Sequence, residues 1–467
     1  MSVRNKRKEL LEGAPTLTQE NSKAYLFEQM PIPRAVMQLS IPIVVTSLVT
    51  IVYNLADTFF VGMLNDPVQN AAVTLVYPVM LAFNAVNNLF GVGTSSMMSR
   101  SLGSGEYEKV RKCSAFGFYG ALFSGLLFSL LCTAFRLPLL HLLGADETTL
   151  DTTFRYMFWT VCWGAMPAIL NVVQSYMVRS EGASLHAGIG TMSGCILNIF
   201  LDPIFILPWG LNMGAAGAGL ATFVSNCLAC CYFLVLARVK KGKTFVCMDI
   251  RKLKNLSGDI VLGIFGVGVP ASIQNLLNVL GSTILNNFTA AFGAPAVAAM
   301  GVAQKLNMIP MQIAMGFSQG IMPLVSYNYA SGNRKRMKKS VLFAGGIIVP
   351  FMLLVTVGYN LGAPVLVQLF MKNAQIVEYG SRFLRVMCLS STFLCLDFLA
   401  VGVFQSMGMG RNALLFAVLR KVVLEIPLLC LMNAVYPLYG LPYAQLITEL
   451  VLAAAALVML RRIFRQE

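Results

Sequence analysis

The chain has 467 residues, of which 57% are hydrophobic and only 12% are charged, and its formal net charge is +15 at pH 7. A soluble protein of this length needs more polar surface than this composition supplies, so an ordinary soluble domain is excluded. The basic residues are spread over many connections rather than gathered on one face among aromatic residues, so nucleic acid is excluded as a partner as well. The lipid bilayer is the partner that the composition indicates.

Apolar runs long enough to cross a bilayer recur along the chain and are separated by short polar or basic connections. They are apolar on every face, as in residues 341–355, which predicts helices rather than the alternating strands of a barrel. We predict about twelve helical spans. They lie near residues 35–61, 71–98, 113–140, 152–178, 184–207 and 213–237 in the first half, and 259–289, 295–325, 340–362, 377–407, 412–436 and 441–460 in the second.

These spans divide the chain into two lobes. Residues 1–34 are polar and basic without a signal-peptide core, so we expect a retained cytoplasmic tail. Residues 35–237 then form an N-lobe, 238–258 a cytoplasmic linker and 259–467 a C-lobe. Lys and Arg are concentrated in alternate connections, which predicts that both termini and the linker are cytoplasmic.

The two halves resemble each other when Ser99 is set on Ser326, a shift of 227 residues that also aligns Gly105 with Gly332. Each half has an even number of spans, so the repeats share one orientation and are related by a pseudo-twofold axis along the membrane normal. The predicted fold is an all-α polytopic membrane protein whose two six-helix bundles enclose a central cavity. Chance recurrence of glycine and basic residues after helix ends is the alternative for this alignment.

Acidic residues inside apolar runs are informative, because each costs about 2.5–3.5 kcal/mol at mid-bilayer on insertion scales. Asp57 lies late in the first span and Asp202 in the fifth, and Asn198 precedes Asp202 by one helical turn on the same face. Two carboxylates with a neutral oxygen at similar depth predict a site for a proton or a hard cation. The alternatives are a polar helix end before proline for Asp202 and a wetted interface position for Asp57. The other acids in apolar runs are Asp397, Glu425 and Glu449.

The second half holds a polar set in three spans. Asp397 lies in the tenth span, Arg420, Lys421 and Glu425 lie in the eleventh, and Lys305 in the eighth is a candidate partner for Asp397. Lys421 and Glu425 are four residues apart, so we expect them to neutralise each other. This set is interpreted either as a substrate contact or as a structural ion pair that joins two helices.

No enzymatic pattern is present in the sequence. His141 and His186 are predicted to be loop residues and lack a Cys or carboxylate partner at metal-ligand spacing, and no nucleophile–base or Walker pattern occurs. The 11 cysteines lie mostly in apolar runs, where packing explains them. We therefore predict no catalytic residue, no cofactor and no metal centre, apart from Na⁺ at the acids of the first half.

Several motifs, in the same order and over residues 35–460, resemble those of the multidrug and toxic compound extrusion (MATE) transporters. They are YNLADTFFVG at 53–62, NIFLDPIFI at 198–206 and GFSQGIMP at 316–323. The resemblance is to the bacterial branch, and it implies that the coupling ion, H⁺ or Na⁺, is bound by Asp57, Asn198, Asp202 and Thr222. It also implies that Pro42 and Tyr53 are neighbours of this site.

The resemblance implies a secondary active multidrug efflux transporter that exports small organic molecules, above all cations, against inward H⁺ or Na⁺. Such a protein is a multi-pass component of the bacterial plasma (inner) membrane, and we expect a monomer. The alternative is a lipid-linked saccharide flippase of the same multidrug/oligosaccharidyl-lipid/polysaccharide superfamily, with Lys305, Arg420 and Lys421 lining its cavity. Alternatives from other classes are a membrane-embedded enzyme and a receptor without transport. An enzyme would need a nucleophile and a base, or clustered metal ligands, at one depth, and we find neither.

Overall fold

A computed structural model describes residues 24–254 and 256–465 of the chain. Within these residues, 11 helices are long and apolar enough to cross a membrane. In the first half they are α1 (Ile32–Gly62), α2 (Pro67–Gly103), α3 (Tyr107–Ala134), α4 (Leu150–Ser180), α5 (Ser184–Ile206) and α6 (Ala215–Val239). The second half begins with α7 (Gly258–Ala290), α8 (Ala294–Ala330), α9 (Arg334–Gln368) and α10 (Ala374–Ser406).

The next helix, α11, spans residues 410–435 in three consecutive pieces. An α-helix, Gly410–Val418, leads into a π-helical segment, Leu419–Glu425, and a second α-helix, Ile426–Val435. Proline is present in the first turn of the last piece, where its ring and its missing N–H disturb the preceding carbonyls. Because of the charged residues in its π-helical segment, α11 is not among the helices counted above as apolar enough to cross a membrane. With α12 (Leu441–Arg465), the fold has twelve membrane helices in two lobes, as predicted.

Several helix ends depart from the apolar runs. α3 begins at Tyr107 and α9 at Arg334, each six residues before the predicted span, because a helix continues past the bilayer surface while its basic side chains reach water. The third span ends at Ala134 instead of residue 140, and a short helix, Arg136–Leu142, follows it. Hydrophobicity marks the membrane-buried part of a helix, whereas backbone hydrogen bonding decides where the helix stops.

Both histidines were wrongly predicted to lie in loops. His141 belongs to the short helix after α3, and His186 lies in the first turn of α5. The His186 ring contacts the Tyr232 hydroxyl through Nδ1 at 3.3 Å and the Lys240 ammonium through Nε2 at 2.7 Å. These partners are on α6 and just after it, so His186 joins two helix ends.

The predicted tail and linker differ from solvated connections. Residues 1–23 lie outside the described residues, α1 begins at Ile32 rather than 35, and residues 24–31 include three buried side chains, Leu26, Phe27 and Met30. The linker is bound to the N-lobe as well, because the Glu181 carboxylate at the end of α4 accepts hydrogen bonds from the Thr244 hydroxyl (2.7 Å) and a backbone N–H (2.8 Å).

The two lobes repeat one helix–helix contact. The Ser99 hydroxyl of α2 donates to the carbonyl of Ser180 at the end of α4 (2.8 Å). In the second half, the Ser326 hydroxyl of α8 donates to the carbonyl of Ser406 at the end of α10 (3.0 Å). Because the predicted shift of 227 residues aligns Ser99 with Ser326, the same position performs the same task in both lobes, and chance recurrence no longer explains the alignment.

The lobes meet on the side of the bundle where α1 begins and α12 ends, which we call the terminal side. The Ser40 hydroxyl of α1 donates to the Phe317 carbonyl of α8 (3.3 Å), and a Cβ added at Gly320 would lie 2.5 Å from the Ser40 Cα. The Ser96 hydroxyl of α2 donates to the Gln405 carbonyl of α10 (2.5 Å). These contacts join the lobes through the terminal-side halves of their helices, so the structure is closed on that side.

Candidate functional site

The centre of the candidate site is a hydrogen-bonded pair on α5. Asp202 is 0% exposed and Asn198 only 1%. With its amide oriented so that Nδ2 faces the acid, Asn198 donates to both carboxylate oxygens of Asp202, at 2.9 and 3.3 Å. The predicted shared helix face is therefore confirmed. The amide holds the Asp202 carboxylate in one orientation inside the N-lobe.

The second acid, Asp57, lies on the neighbouring helix α1. It is half-buried, and its Oδ1 atom has no hydrogen-bond partner within the described structure. Asp57 and Asp202 are close enough to interact electrostatically. Among the residues that the structure describes, neither acid forms an ion pair with Lys or Arg. A buried and a half-buried carboxylate without a counter-ion are costly inside a membrane protein, and a bound cation or proton lowers that cost.

Two predicted neighbours complete the oxygen-rich side of this site. Thr222 on α6 places its hydroxyl 3.4 Å from the Asn198 amide. The Tyr53 side chain, one helical turn before Asp57 on α1, interacts with Thr222 and lies within electrostatic reach of Asp57. Carboxylate, amide and hydroxyl oxygens are the ligands that a hard cation prefers, and the same acids can take up a proton.

Tyr156 is a neighbour that the sequence did not reveal. It lies on α4, is 3% exposed, and interacts electrostatically with Asp57, Tyr53 and Asp202. A tyrosine in an apolar run carries no signal of its own, because most such residues are packing residues. Only the packing of α4 against the site distinguishes this one.

Pro42 is not brought to the site. It precedes Asp57 by fifteen residues in the continuous helix α1, which corresponds to about 22 Å along the axis. Its carbonyl instead accepts a hydrogen bond from the Thr46 hydroxyl (2.7 Å). The structure therefore places Tyr53, but not Pro42, beside Asp57.

The C-lobe contains a different arrangement of acids. Arg420 of α11 is buried, with Nε 2.8 Å from the Glu449 Oε1 atom and Nη1 3.3 Å from the Asp397 Oδ2 atom. Glu449 on α12 and Asp397 on α10 are 0% and 1% exposed. Each acid keeps one oxygen without a partner in the described structure, Asp397 Oδ1 and Glu449 Oε2. One guanidinium therefore joins three helices and is shared by two acids.

Two further predictions for the C-lobe have different outcomes. The Lys421 ammonium lies 2.6 and 2.7 Å from the two carboxylate oxygens of Glu425, so the predicted pair is confirmed. Lys305 is exposed on α8 and forms no ion pair within the described residues, and the partner of Asp397 is Arg420 instead. The sequence could not reveal this, because it does not show which face of α8 points toward α10. The sequence identified Glu449 as an acid in an apolar run but indicated no ion-pair partner for it.

The architecture defines a class of protein before any comparison. Two helical lobes related by a pseudo-twofold axis, with a pair of acids inside one of them that has no counter-ion, are typical of a secondary transporter.

Comparison with known proteins identifies the family. The MatE family matches residues 42–204 and 270–431, one stretch in each half of the chain. The multidrug export protein MepA of Staphylococcus aureus (strain MRSA252) is 33% identical over 446 residues, which cover 94% of this chain and 96% of that protein. The chain belongs to the MatE family, whose members are membrane transporters and not enzymes.

Solved structures share the same fold. An outward-facing multidrug resistance MATE family transporter of the MOP superfamily superimposes with a TM-score of 0.88 at 25% identity, covering 93% of this chain and 96% of that chain. A MATE structure in complex with MaL6 gives a TM-score of 0.89 at 24% identity, with 95% and 98% coverage. The predicted all-helical, two-lobed architecture is thereby confirmed.

Proposed function

We propose that this protein is a secondary active multidrug efflux transporter that exports small organic cations in exchange for inward H⁺ or Na⁺. Relatives named multidrug export proteins, 33% identical over almost the whole chain, support the class of cargo. The observation that carries the antiport is the uncompensated pair Asp57 and Asp202, with Asn198 and Thr222 beside it. No further cofactor is needed for this function.

The geometry suggests how ion binding is coupled to transport. Uptake of a proton or Na⁺ reduces the repulsion between Asp57 and Asp202, so it favours a closer approach of α1 and α5. The same helix α1 contacts the C-lobe through Ser40 at its other end. Between the two lies Pro42, which removes one helical hydrogen bond and lets the helix bend there. A change at the acids is thereby transmitted to the lobe interface.

The orientation follows from charge. Lys and Arg are abundant in the connections on the terminal side, for example between residues 238 and 254, and scarce on the opposite side. By the positive-inside rule, the terminal side is cytoplasmic and both termini lie there. We place the protein in the bacterial plasma membrane, as a monomer. The acids Asp57 and Asp202 are then in the outer half of the bilayer, where external ions reach them.

The test is export of ethidium from proteoliposomes under an imposed proton gradient or, separately, a sodium gradient. Wild-type protein is expected to move ethidium under one of the two gradients, which identifies the ion. Asp57→Asn and Asp202→Asn each remove a charge that the ion must neutralise, so gradient-driven export should fall at least about tenfold. Glu147→Gln, an exposed acid in the connection between α3 and α4, is the matched control and should export normally.

Two results would contradict the proposal. Normal export by both aspartate variants would remove the coupling role from this site. Absence of export by the wild type under either gradient would remove ethidium-type cations as cargo. The flippase alternative is less well supported, because two of its three basic residues, Arg420 and Lys421, are already paired with acids, which leaves Lys305 alone to line a cavity.

A further inference from the structure

The segment that precedes α1 is bound to the opposite lobe. Residues 24–31, which we call the pre-α1 segment, contain a π-helical turn, Tyr25–Gln29. Phe27 is 0% exposed, and its ring stacks on the ring of Tyr327 in α8 with centroids 4.7 Å apart and planes at 13°. The Tyr327 hydroxyl also donates to the Glu28 carboxylate at 2.7 Å. A segment that belongs to the N-lobe by connectivity is thus packed against a C-lobe helix.

The C-lobe also binds the backbone of this segment. The Asn328 amide donates to the carbonyl of Phe27 at 3.1 Å. The Arg336 guanidinium of α9 donates through Nε to the same carbonyl and through Nη2 to the carbonyl of Met30, both at 2.6 Å. Charge-assisted hydrogen bonds of this kind are about twice as strong as neutral ones. Carbonyls that no helix of the segment's own satisfies are therefore satisfied by the opposite lobe.

The other side of the segment touches the N-lobe. Gly182, in the turn between α4 and α5, has a φ of +87°, and a Cβ added there would lie 2.7 Å from a methyl carbon of Leu26 and 3.0 Å from the Phe27 ring. Phe27 is consequently held between this turn of the N-lobe and Tyr327 of the C-lobe. Because the segment continues directly into α1 of the N-lobe, separation of the lobes on the terminal side takes Phe27 away from Tyr327 of the C-lobe.

We infer that the pre-α1 segment is an inter-lobe latch, which holds the terminal side closed and must leave the C-lobe before that side opens. The inference rests on the proposed function only in that a transporter must open its terminal side at some point of its cycle. Its contacts lie beside those of Ser40 with Phe317 and of Ser96 with Gln405, so they strengthen an existing closed interface. Weakening the latch therefore shifts the population toward the state that is open on the terminal side.

Hydrogen–deuterium exchange of the full-length protein in nanodiscs tests this inference directly, because opening exposes backbone amides near the lobe interface. Phe27→Ala removes the stacked ring from the interface. We expect at least about tenfold faster exchange in peptides covering residues 96–104 of α2 and 318–330 of α8, which corresponds to a tenfold shift in the closed–open equilibrium. Peptides from the interior of α5 should not change. Gln29→Ala, an exposed position in the same segment, is the matched control and should behave as wild type.

A second variant separates the latch from general packing. Tyr327→Phe keeps the stacked ring and removes only the hydroxyl that binds Glu28, so its exchange should lie between those of wild type and Phe27→Ala. If Phe27→Ala does not fold, Phe27→Leu keeps an apolar side chain and should show the same direction with a smaller change. Unchanged exchange at both interface peptides in folded Phe27 variants would overturn the inference.

The exchange result is independent of the cargo and of the ion. Ethidium export measured on the same preparations separates the two proposals. A wild type that exports ethidium while the Phe27 variants show wild-type exchange would leave the transport proposal standing and remove the latch. A wild type that exports nothing while the variants exchange faster at the interface would remove the transport proposal and keep the latch.

Discussion

The buried acids of the two lobes are compensated in different ways. Asp202 has a neutral amide, Asn198, as its partner, whereas Asp397 and Glu449 share the charge of Arg420. An acid bonded to an amide can exchange protons or cations with its surroundings, while an acid bonded to a buried guanidinium is held in an ion pair. The N-lobe pair is therefore suited to coupling, and the C-lobe cluster is suited to joining α10, α11 and α12.

Arg420→Gln tests the structural role of the C-lobe cluster. Removing the guanidinium leaves two fully buried acids without a counter-charge, and we expect a loss of about 3–5 kcal/mol in the free energy of unfolding. Unfolding in mixed SDS–detergent micelles measures this loss. The triple variant Arg420→Gln, Asp397→Asn, Glu449→Gln removes the charges together and should recover most of the stability. Equal stability of the single variant and wild type would contradict this role.

At the scale of single helices, α1 connects the candidate ion site with the lobe interface. Asp57 lies in one half of the helix and Ser40 in the other, with Pro42 beside the interface contact. The partner helix α8 approaches α1 closely at Gly320, where a side chain would collide with backbone rather than with a flexible side-chain end. The approach of these two helices therefore depends on the absence of a Cβ at this position.

Gly320→Ala tests that dependence. An added Cβ would lie 2.5 Å from the Ser40 Cα, so α1 and α8 must move apart, and overpacking of this kind costs about 1–3 kcal/mol. Thermal unfolding in detergent should show a lower midpoint. Gly346→Ala in α9 is the matched control, since nothing lies within 4 Å of a Cβ there, and its midpoint should be unchanged or higher. A lower midpoint for the control and not for Gly320→Ala would refute the close-packing argument.

At the scale of the whole molecule, the protein consists of two lobes with the same helix arrangement, which are joined on the terminal side. The bonds Ser99 to Ser180 and Ser326 to Ser406 occupy equivalent places in the two lobes. All four residues are buried, so each bond satisfies a carbonyl that water cannot reach. The pseudo-twofold axis therefore relates individual hydrogen bonds as well as helices.

Ser99→Ala and Ser326→Ala should consequently have similar effects. Each removes one buried donor, and we expect each to lower the free energy of unfolding by about 1–2 kcal/mol. The double variant should show the sum of the two losses, because the sites share no partner. Ser282→Ala removes an exposed hydroxyl that donates within its own helix and serves as control in the same SDS titration. Clearly unequal losses would show that the two hydrogen bonds do not contribute equally to the free energy of unfolding.

Much of the fold was predictable from the sequence. The apolar runs located all twelve helices, and the shift of 227 residues located the repeat. The pair Asn198 and Asp202 was also predictable, since residues one turn apart on a helix face the same way. Tyr156 and Glu449 were not, because their partners lie on other helices and the sequence does not show which helix faces meet.

The sequence by itself determined that the protein spans a membrane as two repeated helical bundles, because hydrophobicity, charge distribution and helix periodicity are local properties of the chain. The tertiary structure alone decided which intramembrane acids are paired, because the rotation of each helix about its axis depends on packing with its neighbours. It also decided that Arg420, and not Lys305, forms the ion pair with Asp397, and that Phe27 lies buried between the lobes. From the sequence alone, a short polar segment is expected to be solvated. Only the tertiary structure shows the surface that buries its few apolar residues.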